Sequence, residues 1–243
     1  MKGLTKYFGG VAALKDVSFE VPERQIRGFI GPNGAGKTTL FALITGAIKP
    51  SAGKIRLRAS DVTGKKSFAL VRSGIVRTHQ VVRPFRAMTA LENVQVAIHF
   101  GRKRVRRTAH ARDAAYEVLK QIGLATSAYK LATALSLGDQ KRLEVARALA
   151  TNPDILLFDE VCGGLTSTET QAMLDLFRRI RETGATIMYV EHDVKAVMAV
   201  CDHITVLNFG EKLAEGTPHE IQHHPAVIEA YLGHARMGRD PRA

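Results

Sequence analysis

Short apolar runs alternate with amphipathic stretches along most of the chain, and each run has the length of one buried strand. Such runs occupy residues 26–30, 155–158, 185–190 and 204–209. Strands that are apolar at nearly every position are typical of a parallel sheet covered on both faces. Gly210 then turns the last run back into residues 212–214 as a hairpin. The pattern predicts an α/β fold with a largely parallel sheet.

Helical spacing replaces the strand pattern between residues 84 and 149. Ala115, Val118, Leu119 and Ile122 fall on one helical face, and Gly123 follows where a C-terminal cap is expected. We therefore predict a helical subdomain at 84–149, inserted into an α/β core formed by 1–83 and 150–243. The signature segment described below would lie in the helical subdomain.

Composition narrows the class of protein without naming a function. The 243 residues are 45% hydrophobic and 24% charged, which is ordinary for a folded protein, and two cysteines make no disulfide framework. No apolar run reaches the roughly 18–20 residues needed to span a bilayer, and residues 1–10 lack the apolar core of a signal peptide. These features predict a cytoplasmic location, with any membrane association supplied by a partner or a surface.

The formal net charge of +12 favours anionic partners such as nucleotides, nucleic acid or the acidic inner leaflet, although a basic surface need have no single target. Part of this charge forms a cluster within the predicted helical subdomain: Arg102, Lys103, Arg104, Arg106 and Arg107. Contact with lipid headgroups or nucleic acid is one interpretation. A solvated loop before the next helix is the other, and it is favoured because short charge runs are usually solvated.

The strongest chemical signal follows the apolar run 26–30 and fits the pattern G-x-x-x-x-G-K-[ST] of a P-loop. Its residues are Gly31, Pro32, Asn33, Gly34, Ala35, Gly36, Lys37, Thr38 and Thr39. Glycines let backbone N–H groups point at phosphate oxygens, and a helix beginning near Lys37 adds a favourable field for an anion. Lys37 can bridge the β- and γ-phosphates of ATP, and the Thr38 hydroxyl can coordinate Mg²⁺.

A second signal is the apolar strand 155–158 followed by Asp159 and Glu160, which is the Walker B pattern. Beside a P-loop strand, Asp159 would lie near the water shell of Mg²⁺, and Glu160 could orient and activate the attacking water. A third is Leu135-Ser136-Leu137-Gly138-Asp139-Gln140, followed by a long helix. Ser136 and Asp139 have capping-box-like spacing, which by itself indicates only a well-capped helix.

Together these motifs resemble the ABC ATPase family, whose signature is close to LSGGQ, over nearly the whole chain. The resemblance implies an ATP-hydrolysing subunit with a RecA-like P-loop core and an inserted helical subdomain. It implies that two subunits pair head to tail, with each ATP between one P-loop and the partner's signature. Ser136, Gly138, Asp139 and Gln140 would then contact the γ-phosphate of the ATP held by the other subunit.

Further family positions follow one by one from the same resemblance. Gln80 matches the Q-loop glutamine, which senses Mg²⁺ and water and links the core to the helical subdomain. His192 matches the switch histidine that contacts the γ-phosphate. Phe8 matches the aromatic residue that stacks on adenine, with Val11 beside it.

Within the family, the chain most resembles the ATPases of branched-chain amino acid importers, on residues 5–10, 45–46, 88–94, 142–149 and 228–233. The resemblance implies transmembrane permease subunits, a second ATPase subunit that is either identical or related, and indirect dependence on a periplasmic binding protein. It implies a peripheral position on the inner face of the membrane. Two alternatives stay open: a lipopolysaccharide-export ATPase, and a soluble ABC ATPase acting on nucleic acid or ribosomes. Nucleic acid is not the expected partner.

The sequence departs from the family pattern near these motifs. Val161 stands where proline usually follows the Walker B glutamate, so the backbone after Glu160 is less constrained. Thr166 stands where Asp or Asn is usual, and its spacing from Glu169 predicts a helix cap instead. Leu137 and Asp139 occupy signature positions where glycine is commonest.

Overall fold

The computed structural model of the chain describes residues 1–78 and 84–237, with backbone only for 232–237. Its strands are β1 (Lys2–Phe8), β2 (Val11–Val17), β3 (Ile26–Ile30), β4 (Ala52–Lys54), β5 (Arg56–Leu57), β6 (Ser60–Asp61), β7 (Ile75–Arg77), β8 (Ile155–Asp159), β9 (Thr186–Val190), β10 (His203–Asn208) and β11 (Glu211–Gly216). Its helices are α1 (Lys37–Ile44), α2 (Ser67–Arg72), α3 (Ala90–Phe100), α4 (Thr108–Gln121), α5 (Leu137–Ala150), α6 (Ser167–Glu182), α7 (Val194–Val200), α8 (Pro218–Gln222) and α9 (Pro225–Met237). In this described part of the chain, no helix combines the length and apolarity needed to cross a membrane.

The chain forms two compact units, the first made of Met1–Lys66 with Tyr189–Ala243 and the second of Ser67–Met188. In the first unit, β3 is buried at all five positions and pairs in parallel with β10, so that Gly28 lies opposite Ile204. Strand β10 pairs on its other side with β11 in antiparallel fashion, as the predicted hairpin requires. Helix α7 packs on β3, where Gly28 leaves room for the side chains of Val197 and Cys201.

A smaller sheet in the first unit presents the predicted aromatic residue. Strand β1 lies between β2 and β4 and pairs with both in antiparallel fashion, with Phe8 opposite Val11 at the turn. The inward residues Leu4, Leu14 and Val17 are fully buried. This packing fixes the end of the hairpin while leaving its turn at the surface.

In the second unit, β7 and β8 pair in parallel with Val76 opposite Leu156. Phe158 of β8 stacks on Phe177 of α6, with ring centroids 4.3 Å apart, which joins the strand to the helix that follows it. Helix α6 begins with the expected capping box, in which Thr166 and Glu169 bind each other's backbone N–H groups. Thr166 therefore acts as the N-cap that its spacing predicted.

Helices α3, α4 and α5 pack together in the second unit. On α4 the predicted face is buried through Ala115 and Leu119, with Ile122 buried just after the helix, and Gly123 follows with φ of +79°. Each of these features agrees with the helical pattern of the sequence. The division into a core (1–83 and 150–243) and a helical subdomain (84–149) stays a prediction.

Candidate functional site

The P-loop lies between β3 and α1 in the first unit. Helix α1 starts at Lys37 with no side-chain cap and no acidic residue in its first turn, so its leading N–H groups are available to an anion. Gly36 precedes it with φ of +101°, and a Cβ there would lie 2.7 Å from both the Ala13 oxygen and a Leu14 methyl. This position therefore needs glycine for its backbone angle and for its close approach to β2.

Lys37 is buried against the loop that it follows. Its ammonium donates to the carbonyl oxygens of Gly31, at 2.6 Å, and Pro32, at 3.0 Å. Thr38 is exposed and Thr39 is half-buried. The arrangement places a cation and a free hydroxyl at the N-terminus of α1, which is the chemistry that a phosphate group and its metal require.

The predicted adenine-stacking residues lie at the turn of the hairpin formed by β1 and β2. Phe8 is 51% exposed and Val11 70% exposed, although both are apolar. Strand β2 of the same hairpin contacts the P-loop through Ala13 and Leu14, as described for Gly36. The first unit therefore holds an exposed aromatic surface on the strand pair that supports the P-loop.

The C-terminal helix also reaches the P-loop. Burial raises the pKa of the Tyr231 hydroxyl on α9, and a hydrogen bond with the Gly31 backbone opposes that rise. Tyr231 thus lies beside the first glycine of the P-loop. In the same unit His192 follows β9 and is exposed, with its backbone N–H bound to the buried carboxylate of Glu191 at 3.1 Å.

In the second unit, Asp159 ends β8 and is 2% exposed. Its Oδ2 forms an ion pair with Nη2 of Arg77, the last residue of the neighbouring strand β7. Its Oδ1 is buried and has no hydrogen-bond partner among the described residues. A buried carboxylate oxygen without a donor is costly unless a ligand satisfies it, so this atom fits a water or a metal-bound water.

Glu160 directly follows and has φ of +51°, in the left-handed region that residues other than glycine rarely adopt. Its carbonyl oxygen accepts a hydrogen bond from Lys141 of α5 at 3.4 Å. Val161 and Cys162, which stand after it in place of the usual proline, are both buried. Packing of these two side chains therefore holds the backbone where proline is absent.

The signature segment forms the first turn of α5. The Ser136 hydroxyl accepts a hydrogen bond from the Asp139 N–H at 3.1 Å, and Gln140 donates to the Leu135 carbonyl at 3.0 Å. Gly138 is buried, and a Cβ there would lie 2.6 Å from Oε1 of Glu169. The second unit therefore brings Ser136, Gly138, Asp139 and Gln140 together at one capped helix start.

Comparison with known proteins identifies this arrangement. Residues 14–163 match the ABC transporter family, and residues 211–236 match the family described as branched-chain amino acid ATP-binding cassette transporter. The chain belongs to the ABC transporter family. The second match covers β11 and the C-terminal helices, including Tyr231.

The relatives of this ABC protein are similar over nearly their full length. It is 44% identical, over 97% of both chains, to the high-affinity branched-chain amino acid transport ATP-binding protein LivG of Salmonella typhimurium. It is 42% identical, again over 97% of both chains, to the BraF protein of Pseudomonas aeruginosa, which carries the same description. The predicted resemblance is confirmed, and the chain is an ATPase of the ABC type.

Solved ABC cassettes confirm the predicted α/β P-loop fold. The ADP conformation of MJ1267, an ATP-binding cassette of an ABC transporter, matches with a TM-score of 0.85 and 29% identity over 96% of this chain and 97% of that one. The dimeric structure of MJ0796, a bacterial ABC transporter cassette, matches with a TM-score of 0.77 and 29% identity over 89% and 97%.

A cavity of about 250 Å³ opens on the second unit of the ABC protein, outside the motifs described above. Its apolar wall includes residues of α2, of α3 and of the segment 84–89 that precedes α3: Val71, Phe85, Val96, Ala97 and Phe100. The Arg147 guanidinium lies 5.0 Å from the Phe85 ring centroid and forms an ion pair with Glu144 at 2.8 Å. The buried side chain of Asn93 fixes this segment by binding the backbone of residues 85, 88 and 89.

Gln80 lies outside the described residues, so its predicted role stays a prediction. Arg77, which pairs with Asp159 and also lines the cavity, was not predicted. Its only sequence signal was a charged residue at the end of an apolar stretch, three positions before Gln80.

Proposed function

We propose that the chain hydrolyses Mg²⁺-ATP to energise a membrane transporter that takes up branched-chain or related amino acids. The observation that carries the ATPase assignment is the uncapped start of α1 with buried Lys37 beside it. The LivG and BraF names, at 42–44% identity, support the amino acid substrate over the lipopolysaccharide-export alternative.

The residues present fit a magnesium ion, because Asp159 offers a buried, unpartnered Oδ1 and Thr38 offers an exposed hydroxyl. These two side chains, with Gln80, would hold the ion. Bound Mg²⁺ would neutralise part of the negative charge on the ATP phosphates. Arg77 would keep the Asp159 carboxylate oriented through the other oxygen.

In the proposed reaction, water attacks the γ-phosphorus in line, the bond from the γ-phosphorus to the leaving oxygen of ADP breaks, and Glu160 accepts the proton from water. Lys37 would leave the Gly31 and Pro32 carbonyls to bind the phosphates, and the free backbone N–H groups of the P-loop would bind the phosphate oxygens. His192 would position the γ-phosphate. Phe8 and Val11 would contact the adenine.

A second subunit, identical or related, would supply its own Ser136, Gly138, Asp139 and Gln140 to the same ATP. Binding of ATP would close the pair and hydrolysis would open it. The pair would sit on the inner, cytoplasmic face of the membrane through contacts with permease subunits, and the periplasmic binding protein would act through those subunits.

We propose that the cavity in the second unit binds the permease. Its lining is mostly apolar, and the charged residues within it already form ion pairs, Arg77 with Asp159 and Arg147 with Glu144. A short amphipathic segment of a membrane protein would bury its apolar side chains there. We expect Val96→Glu to abolish co-purification with permease subunits, whereas Tyr116→Glu, an exposed position on α4 outside the cavity, should not.

The ATPase assignment is tested by hydrolysis assays on the purified chain. Glu160→Gln and Lys37→Ala should each lower the turnover number at least about a hundredfold, whereas Glu182→Gln and Lys49→Ala, at exposed positions outside the motifs, should not. Hydrolysis at the unaltered rate by both site variants would refute the mechanism.

The transport assignment is tested by uptake and by co-purification from native membranes. Deletion of the gene should lower uptake of labelled leucine, isoleucine and valine, and the chain should co-purify with polytopic permeases. Co-purification with lipid-export components would move the assignment to the export branch. Ribosomal proteins or nucleic acid without any permease would refute the transporter assignment.

A further inference from the structure

A short basic loop joins α3 to α4 and is not used by the proposed ATPase mechanism. The basic loop comprises residues 101–107 and carries Arg102, Lys103, Arg104, Arg106 and Arg107. No acidic residue occurs between Phe100 and Arg112, so the sequence itself places no counter-charge within the loop. Such a surface is either solvated or binds an anionic partner.

The loop is held in one position by bonds at both of its ends and at its middle. The Arg102 N–H donates to the Thr151 carbonyl at 3.1 Å, and its guanidinium binds Asp154 at 2.8 Å. The His99 ring donates to the Val105 carbonyl at 2.7 Å, and Gln95 of α3 binds the Thr108 carbonyl at 3.2 Å. A loop anchored in this way presents its remaining side chains as a fixed surface.

Four cations remain exposed on this surface: Lys103, Arg104, Arg106 and Arg107. Within residues 1–78 and 84–237, their side chains form no hydrogen bond or ion pair. Arg104 also has φ of +46°, a conformation that costs free energy for a residue with a Cβ. Four exposed like charges thus lie together in a short anchored segment, where they create a local positive potential that attracts an anionic partner.

Phe100 adds an apolar group directly beside these cations. It ends α3, is 78% exposed and also lines the cavity assigned above to the permease. Exposed aromatic rings next to Lys and Arg are typical of surfaces that meet the headgroup region of a bilayer. Because the cavity's proposed occupant belongs to a chain embedded in the bilayer, continuity with the cavity favours lipid over nucleic acid as the anionic partner.

We propose that the basic loop, with Phe100, binds the anionic lipid headgroups of the membrane that holds the permease. The choice of lipid rests on the proposed function, because it depends on a membrane partner at the neighbouring cavity. The four cations would lie against the headgroups and the Phe100 ring would enter the interfacial region. The loop would then add a weak membrane contact to the stronger contact with the permease.

The experiment is co-sedimentation of the purified chain with vesicles that contain no permease. Vesicles with one third phosphatidylglycerol should bind the chain, vesicles of phosphatidylcholine alone should not, and binding should fall as salt is added. Each cation near an anionic surface contributes about a fivefold change in partitioning. Converting Lys103, Arg104, Arg106 and Arg107 together to Gln should therefore lower binding at least about tenfold, with basal ATP hydrolysis unchanged.

The matched control removes the same charge elsewhere, by converting Lys49, Lys54, Lys65 and Lys66 to Gln, all exposed in the other unit. The control should keep at least half of the vesicle binding. Equal loss in both variants, no binding to phosphatidylglycerol vesicles, or tighter binding to an oligonucleotide of equal charge would each overturn the proposal. Because permease co-purification is measured separately, failure here is distinct from failure of the transporter assignment.

Discussion

Replacing Arg77 by methionine removes the cation that pairs with Asp159 while keeping a long, flexible side chain in its place. The Asp159 side chain is 3% exposed and that of Arg77 17% exposed, so the pair is largely desolvated. Removing one partner of a buried pair costs about 3–5 kcal/mol, because the remaining charge is left buried without compensation. At roughly 2–4 °C per kcal/mol for a chain of this size, Tm should fall by at least about 6 °C.

Substituting the other partner of the pair, Asp159, should lower the free energy of unfolding by less, and this difference is an internal control. Asp159→Asn removes the ion pair, but Arg77 lines the cavity and can reach water there. The asparagine amide also carries no charge. The double variant should therefore be more stable than the sum of the single losses implies, by about 2 kcal/mol. Thermal unfolding of the four proteins measures this coupling directly.

A second measurement separates orientation of Asp159 from stability alone. Groups that orient a metal-bound carboxylate typically change metal affinity by about 10–100-fold. In Arg77→Met, the Mg²⁺ concentration that gives half-maximal binding of a fluorescent ATP analogue should rise about tenfold, and Arg77→Lys should recover part of this loss. If Arg77→Met melts within about 2 °C of the unaltered protein, or if the stability losses of the two single variants simply add in the double variant, the ion pair does not stabilise the fold.

Gly36→Ala should abolish ATP binding and lower Tm, because the added Cβ would overlap β2. Gly34 has φ of +80° but open space around it, so Gly34→Ala should lower the free energy of unfolding, measured with a chemical denaturant, by only about 1–2 kcal/mol. Tyr231→Phe should weaken ATP binding about threefold to tenfold in fluorescence titrations, since the hydrogen bond to the P-loop backbone is lost. Hydrogen bonds from the Thr166 backbone and hydroxyl hold the pKa of Glu169 below its ordinary value of 4.5. The stabilisation that the Glu169 carboxylate provides is therefore complete above pH 4.5 and is lost as the pH falls through the pKa of the folded state. The Tm difference between Thr166→Ala and the unaltered chain should accordingly shrink between neutral pH and pH of about 3.

Features set by neighbouring residues could be predicted from the sequence. The all-apolar run of β3, the glycines after it and the start of α1 depend on contacts within a few positions, as does the capping of α6 by Thr166. The same is true of Ser136 at the start of α5, where the capping bond spans three residues. Local steric and hydrogen-bonding preferences decide such elements, and these preferences are visible in a short window of sequence.

Contacts between distant segments could not be predicted in this way. Arg77 meets Asp159 only because β7 pairs in parallel with β8 in one register, across 82 residues of sequence. Tyr231 reaches Gly31 from the far end of the chain, and the cavity is assembled from α2, α3 and α5. The hydrophobic periodicity of one segment determines neither the register of a strand pair nor the packing angle of a helix.

The capping of α6 also constrains the second position of the signature helix, which is Gly138. Oε2 of Glu169 accepts the N–H and hydroxyl of Thr166, while Oε1 lies where a Cβ of residue 138 would come within 2.6 Å. In Gly138→Ala the flexible carboxylate would move away, and its bonds to Thr166 would be lost. We therefore expect Gly138→Ala to lower Tm by about 1–3 °C, because the bonds to the Glu169 carboxylate are lost while the Thr166 hydroxyl still accepts from the Glu169 N–H at 3.3 Å. Adding Thr166→Ala should lower Tm further, but by less than Thr166→Ala does alone, because the carboxylate half of the capping box is already broken. If the two losses add instead, Glu169 keeps its bonds in Gly138→Ala, and the signature helix and the cap of α6 are independent.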